Sequence, residues 1–399
     1  MLRPSSAITA KFVNLLSNSS QDIAGPEKIW TDNSQRITKN SFHEITLSMD
    51  LLAHALASYT LKRAAFPLLT PSAAIAMLVA GTVADIDSLS KFAGPSAFLT
   101  FYRTYCHSLP AALLFSLLVT FPFLLRRNGP TEKQISPLPI FIAALAASVL
   151  HLLMDLCQST GVELLWPFST RRFALDWLPH LDLWILGILL AGILLPMLSR
   201  LVTEEIGAKS KGPRGKVGAS LALATMILYI VLRFVLHGNA LAAMESRTYR
   251  GGSPRKAAAF PESASPFRWH GIVETESALH DFEMEVGPAA SFDPDSAVTS
   301  YKPEPSPALD AARDTAVARR FLQVARFPKA TVEKTPDGFH IILRAFPYSS
   351  DSISGLTVHA IINTDSFGNV LSQELAWDPS PRNTGGNSSR ISSPPGFRP

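Results

Sequence analysis

Charge is what this sequence has least of: Asp, Glu, Lys and Arg make up 17% of its 399 residues, against ~25% in an ordinary soluble domain. That shortage disfavours a soluble globular protein. Charge of one sign is missing too, since 36 Lys and Arg face 32 Asp and Glu for a net +4. Nucleic acid held by a basic field is therefore not an expected partner. Two cysteines exclude a disulfide scaffold and any Cys-rich zinc or iron–sulfur module. Metal chemistry has to rest on the ten histidines and the carboxylates. No internal repeat or coiled-coil heptad is visible.

What the sequence does have is hydrophobicity, 47% of all residues, unevenly spread. Residues 1–48 are rich in Ser, Asn and Thr and read as a disordered extension. From 49 to about 236 the chain is a series of apolar runs, at 67–84, 108–125, 137–156, 181–199 and 217–236. Each approaches or reaches the ~20 residues that cross a bilayer core. A sixth, 49–65, is shorter and carries His54. Only helices satisfy their own backbone groups in lipid. The fold class expected is thus mainly α, a multi-pass transmembrane bundle of five or six helices (49–240), followed by a small α+β extramembrane domain.

Orientation comes from the cations of the short loops. One side carries Lys62, Arg63, Arg126, Arg127, Lys133, Arg200, Lys209, Lys211, Arg214 and Lys216, and the other Lys91, Arg103, Arg171 and Arg172. The first side is expected in the cytoplasm and the C-terminal domain outside. A Pro/Ser/Gly-rich linker is expected over 241–267, the soluble α+β domain over 268–378 and a disordered tail over 379–399. Within the domain a helical run spans 308–325, and two strand pairs flank Thr335-Pro336-Asp337-Gly338 and 365–369. Asp-Gly is a hairpin signal.

Ionisable residues in membrane segments are costly and are functional candidates by default. Here they are His54, Asp85 and Asp87, Arg103, His107 with Ser108, His151 and Asp155, Asp176 and Asp182. In an alternating bundle the ends of runs that carry them fall on one membrane face, the outer one. His151 and Asp155 are four apart and project from one helix face. Asp85 and Asp87 flank a single residue after a helix, where both can turn toward one cation. A His/carboxylate set without thiolate suits zinc, manganese or iron(II). Each group alone has an ordinary reading, a solvated helix-end His or a capping Asp, and only the convergence of several segments favours a metal. Arg233 in the last run reads either as a charge partner of the carboxylates or as a side chain snorkelling to headgroups.

The strings Met49-Asp50-Leu51-Leu52-Ala53-His54-Ala55-Leu56, Ala84-Asp85-Ile86-Asp87, Arg103 with His107-Ser108, His151-x-x-x-Asp155, Gly161 and Leu165-Trp166-Pro167 together resemble the YdjM-like family. This family groups bacterial inner-membrane proteins described as metal-dependent hydrolases, regulated by LexA in some members. The resemblance covers about 49–199, and Arg326-Phe327-Pro328 with Asp337-Gly338 resembles a C-terminal module of longer members. It implies His54, Asp85, Asp87, His107, His151 and Asp155 as metal ligands, a start at Met49, and a multi-pass place in the bacterial inner membrane with the C-terminal domain in the periplasm. Two positions depart from the family pattern: Tyr102 where a His often precedes the Arg, and Cys106 where a Thr is usual.

The function expected is a membrane-bound hydrolase using a divalent cation, zinc first. Asp176 or Asp182 would serve as general base or orient a ligand, and Arg103 would meet an anionic group. Ser108 joins the catalytic candidates. A site at the lipid–water rim favours a phosphoester or lipid-linked amphiphile, with membrane lipids as surroundings. Two other classes are a non-enzymatic membrane or assembly protein and an ion or proton transporter. Transport is disfavoured because the polar groups gather at one rim, not at the midplane of repeated halves.

Overall fold

The structure is a computed structural model that describes residues 51–125, 136–205, 215–287, 290–345 and 358–377. The extension 1–48, the tail 379–399 and the loops holding Arg126 to Lys133 and Lys209 to Arg214 lie outside those residues, as do the expectations placed on them.

The first part of the chain is helical. Helix α1 covers residues 51–65, and α2 (Pro71–Ala80) opens on Thr70, whose Oγ1 accepts from the Ala73 N–H, with Pro71 in the first turn. A 3-10 segment (Val83–Ala93) and α3 (Pro95–Phe101) follow. Then come α4 (Leu109–Leu125), α5 (Pro137–Leu156), α6 (Leu183–Glu205) and α7 (Lys216–Glu245). Two of these, α5 and α7, are long and apolar enough to cross a membrane. A third span arises if α2 and the 3-10 segment, bent by 46°, count as one. The runs in α4 and α6 form shorter apolar helices. The expected run over 67–84 is therefore broken near Gly81, and the 3-10 segment after the bend carries Asp85 and Asp87.

The second part holds two antiparallel sheets. The first is β1 (Lys256–Pro261), β2 (Arg268–Glu274), β3 (Ala278–Val286) and β4 (Ala290–Ser291), with β5 (Val298–Tyr301) also paired to β3. The second follows helices α8 (Pro307–Asp314) and α9 (Ala316–Val324) and is a meander of β6 (Pro328–Thr335), β7 (Gly338–Ala345), β8 (Val358–Asp365) and β9 (Val370–Trp377). The expected Asp-Gly hairpin is the β6–β7 turn. Gly338 is required there, since its φ is 152° and a Cβ would come within 2.0 Å of the Thr364 carbonyl oxygen. The expected single helix over 308–325 is two helices, because Thr315 adopts an extended backbone and caps α9 through its Oγ1 to the Ala318 N–H.

The stretch expected as a linker differs most. Helix α7 continues to Glu245, and its last turns, with Leu236, Ala240 and Met244, are buried in one core with Trp269, Val273 and Phe282 of the first sheet. Strand β1 occupies the rest. Thirty residues make a rod of about 45 Å, longer than the ~30 Å hydrocarbon core. The C-terminal third of the helix thus packs on the sheet. The other face of that sheet closes over Phe327 at the head of β6. The second sheet buries Phe321 and Leu309 beneath it and also takes in Leu99 of α3.

Candidate metal centre

Six ionisable side chains from four stretches of chain meet beside the C-terminal end of α5. His151 and Asp155 lie one turn apart on α5, both buried. His54 comes from α1, Asp85 and Asp87 from the 3-10 segment, and His107 from the turn before α4. Asp155 is the hub. Its Oδ1 lies 3.2 Å from His54 Nε2 and 3.1 Å from Arg103 Nη2. Its Oδ2 lies 3.0 Å from His107 Nε2 and 3.2 Å from His151 Nε2. Asp85 Oδ1 faces the same two imidazoles at 3.6 and 3.8 Å.

The outward nitrogens of two rings have ordinary partners. His151 Nδ1 donates to the Gly81 carbonyl at 3.0 Å, and His107 Nδ1 donates to Asp87 Oδ2 at 2.8 Å. Each ring therefore turns its Nε2 inward, and the two Nε2 atoms are 3.3 Å apart. With both rings neutral, their lone pairs face each other and a carboxylate, a repulsion that a proton or a cation among them relieves. Both carboxylate oxygens of Asp155 are buried without a hydrogen bond of acceptable geometry, as is Asp85 Oδ2. A buried charge left so is expensive, and the donor set explains it. Ligand atoms of His54, Asp85, His151 and Asp155 lie within 4.8 Å of one another, close to the ~4.2 Å that separates opposite ligands of an ion bound at ~2.1 Å. The residues fit a divalent cation with mixed nitrogen and oxygen ligands.

Electrostatics point the same way. Burial opposes a charge on His107, yet the carboxylates of Asp87, Asp155 and Asp85 around it hold its pKa well above the ordinary imidazole value. The pocket demands positive charge, as a proton or as an ion.

Asp87 stands behind His107, where it also accepts the Arg103 N–H at 2.8 Å. That is how carboxylates orient ligating imidazoles. Arg103 is buried, with φ 56° in the left-handed region, and its guanidinium spans Asp155 and Thr160 Oγ1. Gly81 must be glycine for a steric reason: a Cβ there would come 2.1 Å from Ser58 Oγ and 3.2 Å from the Ala147 Cβ.

The remaining catalytic candidates have other partners. Ser108 Oγ accepts from the Ala111 N–H at the start of α4 and donates to the Tyr105 carbonyl. Asp182 Oδ1 caps α6 by accepting from the N–H groups of Trp184 and Ile185, and its Oδ2 accepts from Tyr229 Oη at 2.9 Å. Asp176 forms a two-pronged pair with Arg326 of the C-terminal module, at 2.5 and 2.7 Å. Arg233 does not snorkel: its guanidinium donates to the carbonyls of Trp177, Ser265 and Glu262, lies over the Trp269 ring and bears electrostatically on Asp182. Cys106 and Cys157 are free thiols, and burial pushes Cys157 up to about 12. Arg326 carried a resemblance in the sequence, but nothing local marked it as the partner of Asp176.

Residues 49–240 match the family model of the YdjM inner membrane protein. This segment is similar to the YdjM inner membrane protein. A curated relative, uncharacterized protein YfhP of Bacillus subtilis (strain 168), is 29% identical over 116 residues. The alignment covers 29% of this chain and 34% of YfhP, so the chain spans about a third of that relative's length. No solved structure matches the chain. The matched segment contains all six residues of the centre and ends inside α7, upstream of both sheets.

Proposed function

We propose that the chain is a multi-pass inner-membrane hydrolase that uses a divalent cation, zinc first, with manganese or iron(II) as alternatives. The helices α1 to α7 form its five- or six-span bundle, the centre lies at the outer rim and both sheets lie in the periplasm. Its substrate is a phosphoester, in particular a lipid-linked one. The observation that carries this reading is the buried Asp155 carboxylate, faced by three imidazole Nε2 atoms and left without regular hydrogen bonds.

His54, Asp85, His151 and Asp155 would hold the ion, joined by His107. A bound cation lowers the pKa of a coordinated water and polarises a phosphoryl oxygen. The protein's own part is to fix the donors. The Gly81 carbonyl and Asp87 set the tautomers of His151 and His107, so that both present a lone pair at Nε2. Arg103 pins Asp155 from the side and keeps a guanidinium beside the centre, where an anionic group would be met. Asp85 has its side chain 18% exposed, against 0% for Asp155. Substrate would approach from the Asp85 side, and Asp85 is then the carboxylate nearest an incoming water.

The test is metal analysis of detergent-purified full-length protein grown in zinc- and manganese-replete medium. The wild type should carry a divalent metal, and His151→Ala should lose most of it while keeping its expression and solubilised size, since helix packing supplies the bundle's stability. A wild type without metal, or a His151→Ala variant with a full complement, overturns the reading. Hydrolysis of phosphoester and lipid substrates by the loaded protein then separates an enzyme from a non-catalytic metal protein.

A further inference from the structure

The ligand-bearing segments are gripped by the C-terminal module at two separate places. The first is apolar. Helix α3 lies between the 3-10 segment of Asp85 and Asp87 and the turn of His107, and its Leu99 is 4% exposed within the core of α8, α9 and the second sheet. Its neighbour Phe98 stacks on Tyr102 at 4.6 Å and meets Trp377 of β9 at 5.4 Å. The next residue after Tyr102 is Arg103, in a left-handed conformation and tied to Asp87 and Asp155.

The second place is ionic. The loop after α5 runs back over the centre. Its Thr160 accepts from Arg103, and its Trp177 and Leu178 N–H groups donate to the Cys157 carbonyl at 2.9 Å. At Asp176 this loop also turns left-handed, φ 58°, a conformation that a residue other than glycine keeps where its surroundings hold it. Arg326, just before β6, imposes it: its fork closes on both Asp176 oxygens, and Nη1 also donates to the Ser159 carbonyl at 3.3 Å. Arg326 itself is steadied over the Phe260 ring of the first sheet. A two-pronged guanidinium–carboxylate contact fixes orientation as well as distance.

We propose that the C-terminal module is a clamp on the metal centre, with Arg326 a positioning residue that acts on Asp155 and Arg103 through Asp176 and Ser159, and the Leu99 socket its second jaw. The two strained residues of the chain's ligand region, Arg103 and Asp176, then sit one at each jaw. The clamp is independent of whether an ion is bound. Its effect on metal affinity rests on the metal reading above.

Two measurements on the full chain in lipid nanodiscs test this. Hydrogen exchange of the metal-free protein reads the clamp alone. Arg326→Ala should speed exchange about tenfold or more in 158–178 and in α3, and leave the middle of α5 as protected as before. Competition with a zinc chelator reads the coupling, and Arg326→Ala should weaken zinc about 10- to 100-fold, as loss of a supporting partner does. Arg326→Lys, which keeps the charge but not the fork, should recover part of both. Leu99→Ala, from the opposite jaw, should give the same exchange signature. Unchanged exchange in both segments overturns the clamp, and so does uniformly fast exchange in both alanine variants, which would mean unfolding. A wild type that binds zinc as tightly as Arg326→Ala overturns the coupling. A wild type that binds no zinc sinks the metal reading and leaves the exchange result to decide the clamp.

Discussion

At the scale of single residues, the centre depends on backbone groups as much as on its ligands. The Gly81 carbonyl accepts from His151 Nδ1, and a Cβ on Gly81 would collide with Ser58 Oγ. Gly81→Ala should therefore push that carbonyl away and weaken zinc binding about tenfold. Removing the obstructing hydroxyl in the double variant Gly81→Ala with Ser58→Ala should restore most of the affinity, as read by chelator competition. Equal affinity of wild type and single variant would show that the carbonyl contact is dispensable. The helical spacing of His151 and Asp155 was legible in the sequence, because four residues put both on one face. The distinct place of Asp87 was not. A separation of two along the chain says nothing about which carboxylate faces the pocket and which stands behind His107, and only the 3-10 geometry of 83–93 separates them. Arg326 was equally hidden in this respect, since its contact with Asp176 spans 150 residues and leaves no periodic trace.

At the scale of elements, charges inside apolar runs turn out to hold segments together. Asp182 caps α6 and takes the Tyr229 hydroxyl. Asp182→Ala removes both contacts and should cost about 1 kcal/mol, read as a lower thermal midpoint, whereas Asp182→Asn, which keeps a cap, should lose less; equal midpoints for wild type and Asp182→Ala would refute the role. Apolar runs showed where helices lie, yet their ends were misjudged where the partner is not lipid. Helix α7 outlasts its apolar run because the first sheet buries its final turns. Strand β1 reads as a linker in the sequence because Pro254, Pro261 and Pro266 punctuate a run of alanines, whose burial comes from distant partners: β2 beside it, α7 on one face and Phe327 on the other.

At the scale of the whole molecule, one expectation concerns sidedness. With the proposed orientation, a cysteine placed near Lys211 should resist an impermeant reagent applied from outside, in a background lacking Cys106 and Cys157, and one near Asp337 should react; the opposite pattern would invert the topology. Helix α7 adds a constraint of another kind. It carries Arg233, which gathers the carbonyls of Trp177, Ser265 and Glu262, and eleven residues later Met244, which lies in the core of the first sheet. Both appointments are kept on one unbroken rod, and each residue of an α-helix advances it ~1.5 Å and turns it ~100°. The spacing between them is therefore counted in whole turns: one residue inserted at Gly238, where an added Cβ would meet nothing within 4 Å, would swing the sheet a quarter-turn or more away from Arg233, whereas a longer insertion that completes a turn would nearly realign it. Among descendants of this chain, lengthening at that point should be tolerated in steps and not residue by residue, as in a screw thread.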